Sequence, residues 1–116
     1  MTLKIDPQRG EIWTVDFDPT RGHEQSGKRP ALVLSATLFN RGPSELVVVL
    51  PLTTRDKHIR SHIRVAPPEA GLAAVSFIKC EDIRSVSTGR LIRRWGQVSP
   101  ATLAQVEDTL RVLLEL

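Results

Sequence analysis

Side chains that bind phosphate or exchange protons are concentrated in one polar stretch, residues 18–29. A guanidinium offers forked donors to phosphate and keeps its charge, whereas carboxylate and imidazole groups can act as general acids or bases. Most connections between strands need about two to five residues, so a loop of this length is usually functional or disordered. Prolines near both ends and two internal glycines favour a shaped, functional loop. Its polar groups are Arg21, His23, Glu24, Gln25, Lys28 and Arg29.

The sequence around this loop resembles a known family. Residues 9–35 read RGEIWTVDFDPTRGHEQSGKRPALVLS, which is similar to the N-terminal signature of the MazF/PemK (Kid) family of toxin–antitoxin ribonucleases. The run GxEQxGxRP at residues 22–30 is specific, because its glycines, acid, amide and Arg-Pro recur at fixed spacing. The similarity continues through FNR, PLTT and GLAAVSFIKCEDIRSVSTGRL.

The resemblance implies a function and a fold. The function is that of a sequence-specific, metal-independent endoribonuclease toxin of a type II toxin–antitoxin system, which inhibits translation and growth. Such an enzyme cleaves single-stranded RNA through attack of the 2′-hydroxyl on the adjacent phosphate, without a cofactor. The products are a 2′,3′-cyclic phosphate and a 5′-hydroxyl. The implied fold is a small SH3-like antiparallel β-barrel with a C-terminal helix, of the MazF/Kid/CcdB kind.

Matching the family motifs assigns catalytic residues. The family's catalytic arginine falls on Arg29, whose guanidinium would bind a phosphoryl oxygen. Its catalytic threonine falls on Thr53, which would donate a hydrogen bond to the same oxygen. Arginine is a poor general base, so Glu24, which belongs to the motif, is a better candidate than His23. Structural alternatives remain: Arg29 paired with Glu24, Thr53 capping its own backbone, and Glu24 ordering the loop.

A wider set of polar side chains is predicted to bind the RNA. Phosphates attract lysine and arginine, and unstacked base edges suit short polar side chains. Asp82 departs from the family, which commonly has glutamine there; an acid would repel phosphate or accept from a base amino group. The predicted substrate-binding residues are Arg21, Gln25, Lys28, Thr54, Lys57, Ser76, Lys79 and Asp82.

The resemblance also implies partners, and other functions stay open. The partners are a second copy of the chain, forming the RNA groove, and a MazE-like antitoxin with an acidic extended tail. One alternative is a toxin similar to CcdB, which binds DNA gyrase and cleaves nothing. Another is an SH3-like binding module without catalysis.

Composition limits these possibilities. The chain of 116 residues predicts one domain. The net charge of +3 raises the expectation of a nucleic-acid partner only slightly. The lone cysteine, Cys80, and the lack of an apolar membrane span predict a cytoplasmic protein. His58 and His62 lie outside any helical pattern, so exposed histidines are expected rather than a metal site.

Hydrophobic periodicity predicts short strands followed by one helix. Strand one alternates through Trp13, Val15 and Phe17, and Pro51 indicates a bulge or edge in the third strand. Ser99 and Pro100 begin a helix with an apolar stripe (Leu103, Val106, Leu110, Leu113, Leu114) and a Glu107–Arg111 surface pair. The remaining predicted strands are residues 31–35, 46–52, 61–66, 74–79 and 82–86, with 91–98 ambiguous.

Overall fold

The computed structural model describes residues 5–18 and 27–116. Within these ranges the chain forms seven strands, all paired antiparallel, and a C-terminal helix. The strands are β1 (Glu11–Asp16), β2 (Lys28–Val33), β3 (Leu46–Thr53), β4 (His62–Val65), β5 (Ser76–Lys79), β6 (Arg84–Ser87) and β7 (Leu91–Gln97). A short helix, α1 (Thr37–Asn40), precedes β3, and α2 (Pro100–Leu114) follows β7.

Strand β3 is the centre of the sheet. The strand order is β4-β5-β3-β2-β1-β7, and β6 also pairs with β3. One edge of β3 therefore carries β2, while the other carries β6 at its start and β5 at its end. Pro51 lies between the last pair with β6, Val49 with Arg84, and the first pair with β5, Leu52 with Ile78. The interruption predicted at Pro51 is thus a change of partner strand, at a residue that has no N–H to donate.

The mostly β class with a C-terminal helix is confirmed, but the sheet is open. Strands β4 and β7 end the path of paired strands, and no pairing among the described residues joins them. The closed barrel expected from the resemblance is therefore not formed by strand pairing in the part of the chain described. No helix among the described residues is long and apolar enough to span a membrane.

Alternation of side chains along the strands builds two apolar clusters on opposite faces of the sheet. The first contains Ile12, Leu32 and Leu50, and the helix α2 packs against it through Val106 and Leu110. The second contains Val15, Ala31 and Val49 and lies on the other face. Because β2 contributes to both clusters, its apolar run is buried on both sides, as the sequence predicts.

The helix α2 begins as expected and is held by a carboxylate. Ser99 is the N-cap, its hydroxyl accepting from the Thr102 N–H, and Pro100 occupies the first turn. Glu69 also accepts hydrogen bonds at this terminus, from the Ser99 N–H at 3.0 Å and the Thr102 hydroxyl at 2.6 Å. A negative charge at a helix N-terminus is favourable because it faces unsatisfied N–H groups.

Tertiary contacts overrule two predictions for α2. Glu107 pairs with Arg9 at 2.8 Å, and Arg111 pairs with Asp108, so the predicted Glu107–Arg111 pair is wrong. Leu113 and Leu114, placed in the apolar stripe, are 42% and 46% exposed, whereas Val106 and Leu110 are buried.

Strand bounds differ from the prediction mainly at β2 and β7. Strand β2 begins at Lys28 rather than at residue 31, since β1 pairs with it as far as Asp16 with Lys28. Pro30 therefore lies within the strand, opposite Thr14. The ambiguous segment 91–98 forms β7, which pairs with β1.

Candidate active site

Strands β2 and β3 bring Arg29 and Thr53 together. The paired residues of β2 and β3 end at Ala31 with Pro51. Continuing that register by two residues along each strand would set Arg29 beside Thr53, and both residues line one cavity. Residues opposite each other in an antiparallel pair share a face, with Cβ atoms about 4.5–5.5 Å apart. Two residues that are distant in sequence therefore meet at one end of the sheet face that carries Val15 and Ala31.

A polar cavity lies where these residues meet. Its volume is about 270 Å³. Two of the three residues predicted to be catalytic and two predicted to bind substrate contribute to its wall, together with an arginine that was not predicted. The lining residues are Arg29, Thr53, Thr54, Arg55 and Lys57. The wall thus carries three cations and two hydroxyl groups, which suits an anionic ligand such as a phosphate.

The hydroxyl of Thr53 is held by the backbone. Its oxygen accepts a hydrogen bond from the Arg55 N–H at 3.2 Å. A hydroxyl has one donor and two acceptor positions, so this contact leaves the O–H available to donate. The capping role considered for Thr53 is therefore present, and it is compatible with donation of a hydrogen bond into the cavity.

The described ends of the long loop are joined next to Arg29. The Asp18 carboxylate accepts from the Gly27 N–H at 2.9 Å, and the Phe17 N–H donates to the Gly27 carbonyl at 2.9 Å. Arg90 donates to the backbone carbonyls of Asp16 and Asp18. These contacts fix where β2 starts, and so fix the position of Arg29 near the start of that strand.

Several predicted site residues lie outside the described ranges. These are Arg21 and Gln25, predicted to bind substrate, and Glu24, the predicted general base, with its alternative His23. The roles assigned to these residues remain predictions, and so does the alternative that Arg29 pairs with Glu24. Lys28 is described: it is exposed, lies opposite Asp16 and is adjacent to Arg29 at the start of β2.

Two predicted substrate-binding residues on β5 are buried, and their assignment stays a prediction. Ser76 is 3% exposed, and its hydroxyl donates to the Ala74 carbonyl at 3.0 Å. Strand alternation places it on the opposite face from Phe77, which pairs with Thr53. Lys79 is 7% exposed, and its Nζ lies 3.6 Å from the Asp82 carboxylate. Neither residue lines the cavity.

Asp82 makes ionic contacts with two cations of the same chain. Its carboxylate accepts from Arg84 at 3.0 Å in addition to its contact with Lys79. The Arg84 guanidinium in turn lies 4.4 Å from the centre of the Phe17 ring. The ion pairs with Lys79 and Arg84 neutralise Asp82, and Asp82 does not line the cavity. Its assignment to substrate binding stays a prediction.

His62 is not the exposed histidine that the sequence predicts. Its side chain is 3% exposed, and its Nε2 lies 2.7 Å from the Glu81 carboxylate. Glu81 also accepts from the Ser61 hydroxyl at 2.7 Å. Burial alone raises the pKa of Glu81, but the hydrogen bonds from Ser61 and His62 outweigh it and the pKa lies below its ordinary value. His58 is exposed, as expected.

Arg55 is the cavity residue that sequence reasoning missed. It directly follows the PLTT run whose first threonine is the proposed catalytic residue. The available signal was its position, a cation two residues after the predicted catalytic threonine. The segment 54–60, however, has no periodicity from which the direction of a side chain can be inferred.

Relatives of known name support the same assignment. A family model described as the PemK-like, MazF-like toxin of type II toxin–antitoxin systems matches residues 8–114. The endoribonuclease MazF9 of Mycobacterium tuberculosis is 38% identical over 94% of this chain and 97% of its own. The endoribonuclease PemK of Escherichia coli is 38% identical, over 96% of this chain and 84% of its own.

Solved structures agree in fold. MazF from Deinococcus radiodurans superposes with a TM-score of 0.84 at 30% identity, covering 97% of this chain and all of the other. A MazE–MazF complex from the same organism gives a TM-score of 0.79 at 30% identity, with 97% and 99% of the two chains covered. With its family match spanning nearly the whole sequence and its fold shared with these structures, the chain belongs to the family of PemK-like and MazF-like toxins of type II toxin–antitoxin systems.

Proposed function

We propose that this chain is a sequence-specific endoribonuclease toxin that cleaves single-stranded RNA without a metal. The observation that carries the proposal is the cavity shared by Arg29 and Thr53, at which two motifs of the family meet. The relatives named as endoribonucleases match the chain over nearly its whole length, which supports the same class of reaction.

The reaction begins with attack of the 2′-hydroxyl on the neighbouring phosphate. Negative charge builds up on the non-bridging oxygens, and a preorganised donor facing these oxygens lowers the barrier. The Arg29 guanidinium offers two parallel N–H groups to them and is positively charged at neutral pH. The O–H of Thr53, oriented by the Arg55 N–H, donates to the same phosphoryl group. As the bond between phosphorus and the 5′-oxygen breaks, Arg29 is proposed to donate a proton to that oxygen, which leaves as a hydroxyl, and to regain the proton from water.

A general base must accept the proton of the 2′-hydroxyl. Glu24 is proposed for this role, because a carboxylate can accept a proton whereas arginine cannot at neutral pH. Glu24 lies in the motif GxEQxGxRP, five residues before Arg29. Gly27, three residues after Glu24, is bonded to Asp18 and lies two residues before Arg29, which supports the assignment.

Exposed groups around the cavity bind the RNA strand. Lys28, Thr54 and Lys57 are proposed to contact it, with Arg21 and Gln25 from the loop. A homodimer is proposed to complete the groove. Because related MazF structures contain a MazE antitoxin, a MazE-like antitoxin is the proposed inhibitor. The proposed site of action is the cytoplasm, where the messenger RNA is found.

The test is cleavage of total RNA by purified protein in the presence of EDTA. Mapping of 5′ ends is expected to show a short common sequence at the cuts. The new ends are expected to carry a 5′-hydroxyl and a 2′,3′-cyclic phosphate. The control is Arg29→Ala, which removes the guanidinium at an exposed strand position and should leave the fold intact by circular dichroism.

Two results would contradict the proposal. Intact RNA together with trapping of DNA gyrase would favour the CcdB-like alternative. Cleavage by Arg29→Ala at the wild-type rate would show that the activity does not come from this cavity.

A further inference from the structure

The cavity that contains Arg29 and Thr53 carries more positive charge than one phosphate requires. Its wall has three cationic side chains, those of Arg29, Arg55 and Lys57, and no acidic side chain among the described residues. A phosphodiester carries a single negative charge, and the cleavage proposed above assigns that charge to Arg29. Arg55 and Lys57 therefore contribute two further positive charges beside the scissile phosphate.

The acidic residue between these two cations does not neutralise them. The Asp56 carboxylate accepts from the His58 N–H at 3.0 Å and lies 3.7 Å from the His58 ring. Asp56 is not among the residues that line the cavity. Neither Arg55 nor Lys57 makes an ion pair with another residue in the described ranges. Both side chains are exposed, so an anionic ligand can reach them.

We infer that Arg55 and Lys57 form a second phosphate subsite, which binds a neighbouring phosphodiester of the RNA strand whose scissile phosphate lies at Arg29. This inference rests on the proposed ribonuclease function and adds a requirement to it. The substrate must extend at least one phosphate beyond the cleaved linkage. Contacts to phosphate position a strand without reading its sequence, so this subsite sets affinity and alignment, while the cleavage sequence is read elsewhere.

The first experiment is the double variant Arg55→Gln with Lys57→Gln, compared with Arg60→Gln with Arg93→Gln. The control pair removes the same charge from exposed positions outside the cavity. Loss of charged hydrogen bonds should raise KM about tenfold or more, while kcat changes little because the binding removed is uniform. The slope of log affinity against log salt should fall by about 0.7 for each phosphate that the variant no longer binds.

The second experiment locates the phosphate. Each linkage flanking the cleaved one is replaced in turn by a neutral methylphosphonate in a synthetic RNA. At one of these positions the neutral linkage should lower kcat/KM of the wild-type protein about tenfold. The same linkage should not lower kcat/KM of the double variant further, because the variant already lacks the cations that contact this phosphate. The side of the scissile linkage on which this position falls gives the polarity of the strand.

The outcomes separate the inference from the function on which it rests. If wild type cleaves RNA and the double variant matches the control pair in KM and salt slope, the second subsite is wrong and the ribonuclease stands. Equal losses for both proteins at every neutral linkage would also overturn it. If wild type cleaves no RNA, the proposed function fails. In that case, binding of single-stranded RNA that depends on salt and is weakened in the double variant would support the subsite alone. Equal RNA binding by wild type and the double variant would overturn the subsite as well.

Discussion

Arg29 of β2 and Thr53 of β3 line the same cavity, at the point where β3 has changed its other partner from β6 to β5. The change occurs at Pro51, so Thr53 lies two residues beyond it and at the end of its strand. A strand end allows the Thr53 hydroxyl to accept from the next turn of chain, at the Arg55 N–H. The geometry of the candidate site therefore follows from the sheet topology.

Arg29→Lys tests whether the guanidinium fork matters beyond its charge. Lysine keeps the positive charge but is a single flexible point donor, so it cannot hold two phosphoryl oxygens at once. We expect kcat to fall about 10²–10³-fold, as for loss of a donor to the transition state, while KM for a defined RNA changes less. A kcat close to that of wild type would contradict the proposed role.

The hydroxyl of Thr53 is tested by two substitutions of different character. Thr53→Val keeps the β-branched shape and removes the donor, so kcat should fall about 10²-fold. Thr53→Ser keeps the donor and should retain most activity. Single-turnover cleavage of one RNA by both variants is the measurement. Similar rates for the valine and serine variants would show that the hydroxyl does not act in the reaction.

Glu69 is expected to make the stability of α2 depend on pH. Burial alone raises the pKa of Glu69, but hydrogen bonds from Thr102 and Ser99 outweigh it, so the pKa lies below its ordinary value of 4.5. A lowered pKa in the folded state means that the ionised carboxylate stabilises the fold above pH 4.5, and that this is lost as the pH falls through the folded-state pKa.

The measurement is chemical denaturation of wild type and Glu69→Gln between pH 7 and pH 3. Glutamine should reduce the free energy of unfolding by about 0.5–1.5 kcal/mol at neutral pH. The difference should shrink as the pH is lowered below about 4.5. A difference that stays constant with pH would show that the charge of Glu69 has no role.

Cys80 is expected to be unreactive in the folded protein. Burial, and to a lesser extent the nearby Glu81, raises the pKa of its thiol to about 12. Thiol reagents attack the thiolate, so labelling with an aromatic disulfide at pH 8 should require unfolding. Ser85→Cys on a Cys80→Ala background provides an exposed thiol as control. Rapid stoichiometric labelling of native wild type would contradict the burial of Cys80.

Gly96 of β7 lies against the backbone of the short turn Glu69–Gly71, so we expect that position 96 does not tolerate a side chain. A Cβ at Gly96 would lie 2.7 Å from the Ala70 carbonyl carbon and 2.9 Å from its oxygen, and both atoms belong to backbone that is held by neighbours. We expect Gly96→Ala to lower the free energy of unfolding by about 1–3 kcal/mol. Gly89→Ala, where the nearest atom is 3.7 Å away, is the control and should be near neutral.

The predictions from sequence that are confirmed concern features that depend on interactions between residues close together in the chain. The helix α2 begins where Ser99 and Pro100 place it, since capping is a local interaction. The buried run of β2 follows from its continuous apolar residues. The start of β2 does not follow from local sequence, because it is set by the pairing of Lys28 and Arg29 with Asp16 and Val15 of β1.

Side-chain partners were harder to predict than elements. Glu107 had a suitable partner four residues away, yet it pairs with Arg9, which β1 brings to the helix. Ser76 and Lys79 were expected in a groove because they are polar, but the register of β5 against β3 and β4 buries both. Polarity alone does not reveal whether a charged residue has a partner within the fold.

The sequence by itself determined the family, the mostly β fold class with its closing helix, and Arg29 and Thr53 as the residues to examine. Those conclusions rest on motif spacing, hydrophobic period and capping, all of which are written along the chain. Only the tertiary structure decided that Arg29 and Thr53 share one cavity, that Arg55 joins them, and that Asp82 is neutralised elsewhere. The physical reason is that strand register and partner exchange at β3 set which distant side chains meet, and neither is encoded by neighbouring residues.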